Sequence, residues 1–153
     1  MRLFFAFILF FLISISGASE NLIKPNTTLK PIEVLKIQLN SLKNNNVPYK
    51  DAGIEQTWEF AHPDNRKITG PLANFINMIH GINYQILINH ESSEIKTINK
   101  SLSKVIYEVY ILSKDKKKYL YIWQIEKVKD KKKFKDCWMT TSVLNPIFLG
   151  DTI

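Results

Sequence analysis

Apolar positions recur at intervals of three and four over residues 31–44 and at intervals of two after residue 82, so the chain changes period near its middle. Ile32, Leu35, Leu39 and Leu42 form one stripe behind Pro31. Proline suits a first helical position, because its missing N–H has no partner there. Lys43 to Asn46 followed by Val47-Pro48 ends the stripe, which predicts a helix over 31–44. Ile54, Trp58 and Ala61 line a shorter helix that Pro63 stops, with His62 at its boundary and Pro63-Asp64-Asn65 as a turn. Pro71 opens a third helix with Leu72, Phe75, Ile76 and Ile79 on its buried face, His80 in its last turn and Gly81 as a left-handed terminator. Strands follow. Ile82, Tyr84, Ile86 and Ile88 alternate, residues 94–99 form a weaker strand, and 105–112 alternates with two apolar faces. Residues 119–128 and the run from Phe134 to Ser142 complete the set, and Asn145-Pro146 closes the regular structure. Helices first and hairpin-joined strands afterwards define an α+β domain, with N-terminal helices packed against a four- to five-stranded antiparallel sheet.

The residues before the first stripe are of another kind. Met1-Arg2 is a basic start, residues 3–13 are uninterrupted apolar side chains, and Ser16 and Ala18 are small. These are the three parts of a secretory signal cleaved after Ala18; an uncleaved anchor is the alternative, for which the apolar run is short. The chain therefore divides into a signal peptide over 1–18, a polar leader over 19–30, one domain over 31–145 and a tail over 146–153. Export to a periplasmic, lumenal or secreted location follows. Cys137 is the single cysteine, so no internal disulfide forms, and its place between Asp136 and Trp138 reads as a small buried hydrophobe.

Charge is confined to one region. Residues 114–135 carry ten lysines against Asp115, Glu126 and Asp130, a balance of +7, while the rest of the chain without its leader sums to −1. As hairpin lysines they discourage strand pairing. As clusters they suit an anionic membrane surface, with Lys116, Lys117, Lys118, Lys131, Lys132 and Lys133 as the contacts. Export makes nucleic acid a poor partner.

Three groups of residues carry a family resemblance: Asp51-Ala52-Gly53-Ile54, the FAHPDN run with the TGP run after it, and Cys137-Trp138-Met139-Thr140. Together with Tyr84 and the LINH run, and over residues 36–142, the chain resembles the family known as domain of unknown function 4864. The resemblance implies a nuclear-transport-factor-like or cystatin-like cone, a curved sheet wrapped over helices, and assigns no activity or site residue. The long lysine runs depart from the family's pattern.

Chemistry is sparse. Histidines 62, 80 and 90 show no HxxxH or CxxC spacing, no glycine loop suits a phosphate, and no GxSxG occurs, so no metal and no cofactor is expected. The candidate constellation is Trp58, His62, Asp64, Tyr84 and Trp138. Structural roles are open to all five, with His62 capping a helix, Asp64 making a turn and the tryptophans filling core. Two function classes stand. One is an exported non-enzymatic cone that binds a small apolar ligand or a protein partner, which requires a cavity of roughly 300 Å³ or more lined by Trp58, Tyr84 or Trp138. The other is an isomerase- or dehydratase-like enzyme, which requires His62 and Asp64 within hydrogen-bond reach of each other inside that cavity.

Overall fold

The computed structural model describes residues 22–130 and 133–152, so the expected signal peptide and the candidate contacts Lys131 and Lys132 lie outside the described residues. Four helices come first: α1 (Pro31–Lys43), α2 (Ala52–Glu59), α3 (Pro63–Thr69) and α4 (Leu72–Ile79). A single 3-10 turn, Gln85–Leu87, leads to five strands: β1 (Ser92–Lys100), β2 (Lys104–Leu112), β3 (Lys117–Lys127), β4 (Trp138–Val143) and β5 (Ile147–Asp151). The fold is α+β with an open antiparallel sheet.

α1 starts as its sequence requires. Pro31 holds the first helical position, and the Glu33 carboxylate accepts from the Lys30 N–H at 2.7 Å. Its buried stripe is Val34, Leu35, Gln38, Leu39 and Leu42, one polar residue among four apolar ones. α2 packs on α1 by backbone approach: a Cβ on Gly53 would lie 2.0 Å from the Ser41 carbonyl oxygen, so only glycine is tolerated there. Asn45, fully buried between them, receives the Ile54 N–H at 3.0 Å and donates to Asp51 Oδ1 at 2.9 Å. The Asp51-to-Ile54 run is thus a helix junction.

The sheet runs β1-β2-β3-β4, and β5 also pairs with β3. β2 occupies one whole side of β3, so β4 and β5 share the other: β4 pairs with Trp123–Lys127 and β5 with Lys117–Leu120. They form one interrupted row, broken where Pro146 has no N–H to give. Val105, Tyr107, Val109, Ile111, Tyr121, Trp123 and Ile125 point from one sheet face into the helices and are buried with Leu35, Leu39, Ile54 and Phe60. On β4's outer edge, Ala61 forms a parallel bridge to Thr140, with His62 N–H donating to Thr140 O and Thr140 N–H to Phe60 O, both at 2.8 Å. The FAH run therefore covers a sheet edge.

Four expectations are corrected. Residues 82–88 form no strand; Tyr84 and Gln85 donate back to Gly81 O, Leu87 to Tyr84 O, and Asn89 to Leu42 O at the end of α1. The burial decides it: Leu87 is inside while Ile82 is 80% exposed, so the alternation of residue types marks no common face. Pro63-Asp64-Asn65 is the first turn of α3, because the proline that ends one helix is preorganised to begin another. Gly81 is not left-handed; Gly70, with φ +79, is the glycine that needs that region, after α3. Regular structure continues past Pro146 as β5, whose Phe148 ring meets that of Tyr119 at 5.4 Å.

Candidate functional site

Between the helices and the sheet lies a cavity of about 250 Å³, open to the surface beside α3. Its floor is a buried chain of hydrogen bonds. The Trp123 indole donates to Thr140 Oγ1 at 3.0 Å, Thr140 donates to Gln38 Oε1 at 2.6 Å, and Gln38 Nε2 donates to Thr57 O at 3.1 Å. One contributor comes from each of β3, β4, α1 and α2, so the chain fixes how the layers sit. Leu42, Phe75, Ile79, Leu87 and Val143 supply apolar walls. Asn65, Ile68 and Thr69 of α3, with Thr141 and Ser142 of β4, form the rim, and Ile68 is 86% exposed.

Tyr84 is the one member of the expected constellation that lines this cavity. Its hydroxyl donates to Val143 O at 2.9 Å, and its ring stacks near Tyr121 with centroids 6.5 Å apart. Burial raises the pKa of both phenols, so both are neutral donors at ordinary pH. Among the described residues no lysine, arginine, aspartate, glutamate or histidine lines the cavity, so no ionic group of a ligand would find a counter-charge there. Among the described residues no buried side-chain N or O atom lacks a hydrogen bond, so the cavity offers a ligand no stranded polar group. The cavity falls short of the roughly 300 Å³ set for the ligand reading and so excludes drug-sized molecules, but it is larger than the ~150 Å³ apolar cavity that takes benzene.

His62 and Asp64 lie elsewhere, in a second cleft of about 360 Å³ lined also by Lys67, Glu126, Lys127 and Lys129. His62 Nδ1 accepts the Asp64 backbone N–H at 3.1 Å, so that nitrogen has no proton to give a carboxylate. Asp64 Oδ2 stands 3.6 Å from Nδ1, beyond hydrogen-bond reach, and its side chain is 62% exposed and paired with Lys67 at 2.7 Å. The oriented acid–base pair is not assembled. Burial lowers the His62 pKa, with Asp64 and Glu126 acting against it, so the imidazole is a neutral helix cap.

Trp58 and Trp138 also stand outside the cavity. Trp58 packs on Phe75 with centroids 5.0 Å apart, and the Arg66 guanidinium lies 4.7 Å over its ring. Trp138 is covered by the Lys127 ammonium at 5.1 Å. Arg66, the single arginine after the leader, donates to Ala61 O at 3.0 Å, to Trp58 O at 2.7 Å and to Glu59 O at 3.0 Å. Three carbonyls at the end of α2 are thereby capped by one fork, a geometry that lysine cannot reproduce. Cys137 is buried, and burial raises its thiol pKa, as its apolar setting implies.

Sequence reasoning missed Gln38, Thr57, Trp123 and Thr140. Gln38 had a signal: it sits at helical spacing between Leu35 and Leu42 on the apolar stripe, where a polar residue must find a buried partner. Among the described residues no helix is long and apolar enough to cross a membrane, and no group of three His, Cys, Asp or Glu side chains could hold a metal ion. No protein-family model matches the chain, and neither a curated protein nor a solved structure matches it.

Proposed function

We propose that the chain is an exported binding module that holds a small uncharged apolar molecule in the cavity between its helices and sheet. The observation that carries this reading is the cavity lining: apolar walls, a fully bonded polar floor and no ionisable side chain other than Tyr84. An ionised ligand group there would lose its hydration without a partner, a cost of several kcal/mol. A neutral aromatic or branched aliphatic molecule keeps its apolar part inside. A hydroxyl on it would donate to the lone pair that Tyr84 leaves open, and a carbonyl would accept from Ser142 or Asn65 at the rim.

The basic start, apolar run and small residues of 1–18 support export. Helices on one face of an open antiparallel sheet, with a cavity between the layers, support the cone arrangement that the resemblance to domain of unknown function 4864 implies. A fold of that kind leaves function to the site, and the site offers binding surface rather than an acid–base pair.

Native mass spectrometry of the protein recovered from its host tests the reading. A co-purifying neutral molecule, displaced in the cavity-filling variant Ala61→Leu while unfolding stays cooperative, is the expected result. Recovery of an anionic ligand, or equal recovery from the filled variant, would overturn it.

A further inference from the structure

The two lysine runs do not form one surface. They emerge from opposite ends of β3, whose length of about 33 Å at ~3.3 Å per residue is several screening lengths at physiological salt. At the Lys117 end, Lys116 pairs with Glu91 and Lys117 with Asp115, so half of that group is already neutralised.

The other end gathers basic residues from two loops. The turn between β1 and β2 closes there: Lys127 N–H donates to Ser103 O at 2.9 Å, and Ser101 N–H to Lys104 O at 2.8 Å. Val128 N–H donates to Cys137 O, and Asp136 N–H to Val128 O, both at 2.9 Å, which fixes the base of the following lysine loop. Lys100 and Lys104 thus share an end of the sheet with Lys127, Lys129, Lys133 and Lys135. The acidic residues at this end are Glu126, already paired with Lys104 at 3.3 Å, Asp64, paired with Lys67 at 2.7 Å, and Asp130 and Asp136. At the tip of the first loop stands Leu102, 94% exposed, with Ile98 behind it also exposed.

We propose that this end of the sheet docks on an anionic lipid bilayer, Leu102 entering the interface and the surrounding lysines holding the headgroups. Charge complementarity selects the partner, and the leucine distinguishes it from nucleic acid, whose phosphates offer an apolar tip nothing to enter. Of the expected contacts, Lys116, Lys117 and Lys118 lie at the opposite end of β3 from these two loops, and Lys133 lies with Lys100, Lys129 and Lys135. α3 joins the two surfaces, since Lys67 lies in the cleft with Lys127 and Lys129 while Asn65 and Ile68 rim the cavity. Docking does not depend on the ligand reading, because neither Leu102 nor any of these lysines lines the cavity.

Co-sedimentation of the chain recovered from its host, with vesicles of phosphatidylcholine alone or mixed with phosphatidylglycerol, tests the proposal. Retention is expected on the anionic vesicles only, and it should weaken with salt. The triple variant Lys100→Gln, Lys129→Gln, Lys135→Gln should bind about a hundredfold more weakly. Leu102→Gln should bind about tenfold more weakly, whereas Lys114→Gln, Lys116→Gln, Lys118→Gln at the far end should stay within about threefold of the parent. Equal retention on neutral vesicles, an equal loss in the far-end variant, or binding to duplex DNA without binding to vesicles would overturn the proposal.

Discussion

Replacing Arg66 separates a structural account of residues 58–66 from a catalytic one. Its guanidinium donates to the carbonyls of Trp58, Glu59 and Ala61, with the Trp58 ring beneath it. Hydrogen bonds to charged groups contribute about 1.5–3 kcal/mol each, so three would sum to at least about 4.5 kcal/mol; because they share one helix end and the side chain is partly exposed, solvent screening brings the expected loss for Arg66→Ala down to about 3 kcal/mol. For a domain of this size that lowers Tm by about 10 °C. At a denaturant slope of about 2 kcal/mol per molar, it lowers the urea midpoint by about 1.5 M. Arg66→Lys keeps the charge but loses the planar fork, and should lose about half as much. Urea titration followed by tryptophan fluorescence reads both variants. A lysine variant as stable as the parent, or an alanine variant within about 0.5 kcal/mol of it, would refute the helix-capping role.

Thr140→Val should cost about 2–4 kcal/mol, because it strands the Trp123 indole and the Gln38 carbonyl in the core; a loss under about 1 kcal/mol in thermal unfolding would contradict the chain of bonds. Gly53→Ala should cost more than about 2 kcal/mol, since its Cβ would collide with the Ser41 backbone; an unchanged melting temperature would refute the close helix approach. Burial lowers the pKa of both His62 and His90, so the folded chain takes up protons less readily than the unfolded one. Their contribution to stability is therefore full above the unfolded value of about 6.5 and is lost as pH falls through the lower folded values. Urea midpoints should fall from about pH 7.5 to about pH 5 in the parent and less in a His62→Asn, His90→Gln variant; parallel losses would refute this.

α1, β2 and β3 were legible because one face of each is buried, so spacing and burial coincide. Residues 82–88 misled for the opposite reason: their alternation lacks a neighbouring strand, and their backbone bonds go to Gly81 and to the end of α1. α3 has no buried residue, so no stripe could announce it; a proline start and the Arg66 anchor hold it instead. Of the candidate site, Tyr84 alone reached the cavity. The rest depends on β4 coming beside α1 and α2, a meeting of Thr140 with Gln38 across 102 residues that no local pattern encodes. Rare residue types drew attention to His62, Trp58 and Trp138, yet their rarity reflects caps and ring contacts.

The central claim, a cavity that accepts neutral apolar molecules and rejects charged ones, is tested most directly with two probes of nearly equal shape. Benzyl alcohol and benzoate are titrated into isotopically labelled protein while the Trp123 indole N–H and the Tyr84 and Val143 resonances are followed. The account predicts saturable shifts with benzyl alcohol, and at least about a hundredfold weaker response to benzoate, from the cost of dehydrating its carboxylate. Equal binding of the two, or shifts that avoid the cavity residues, would contradict it.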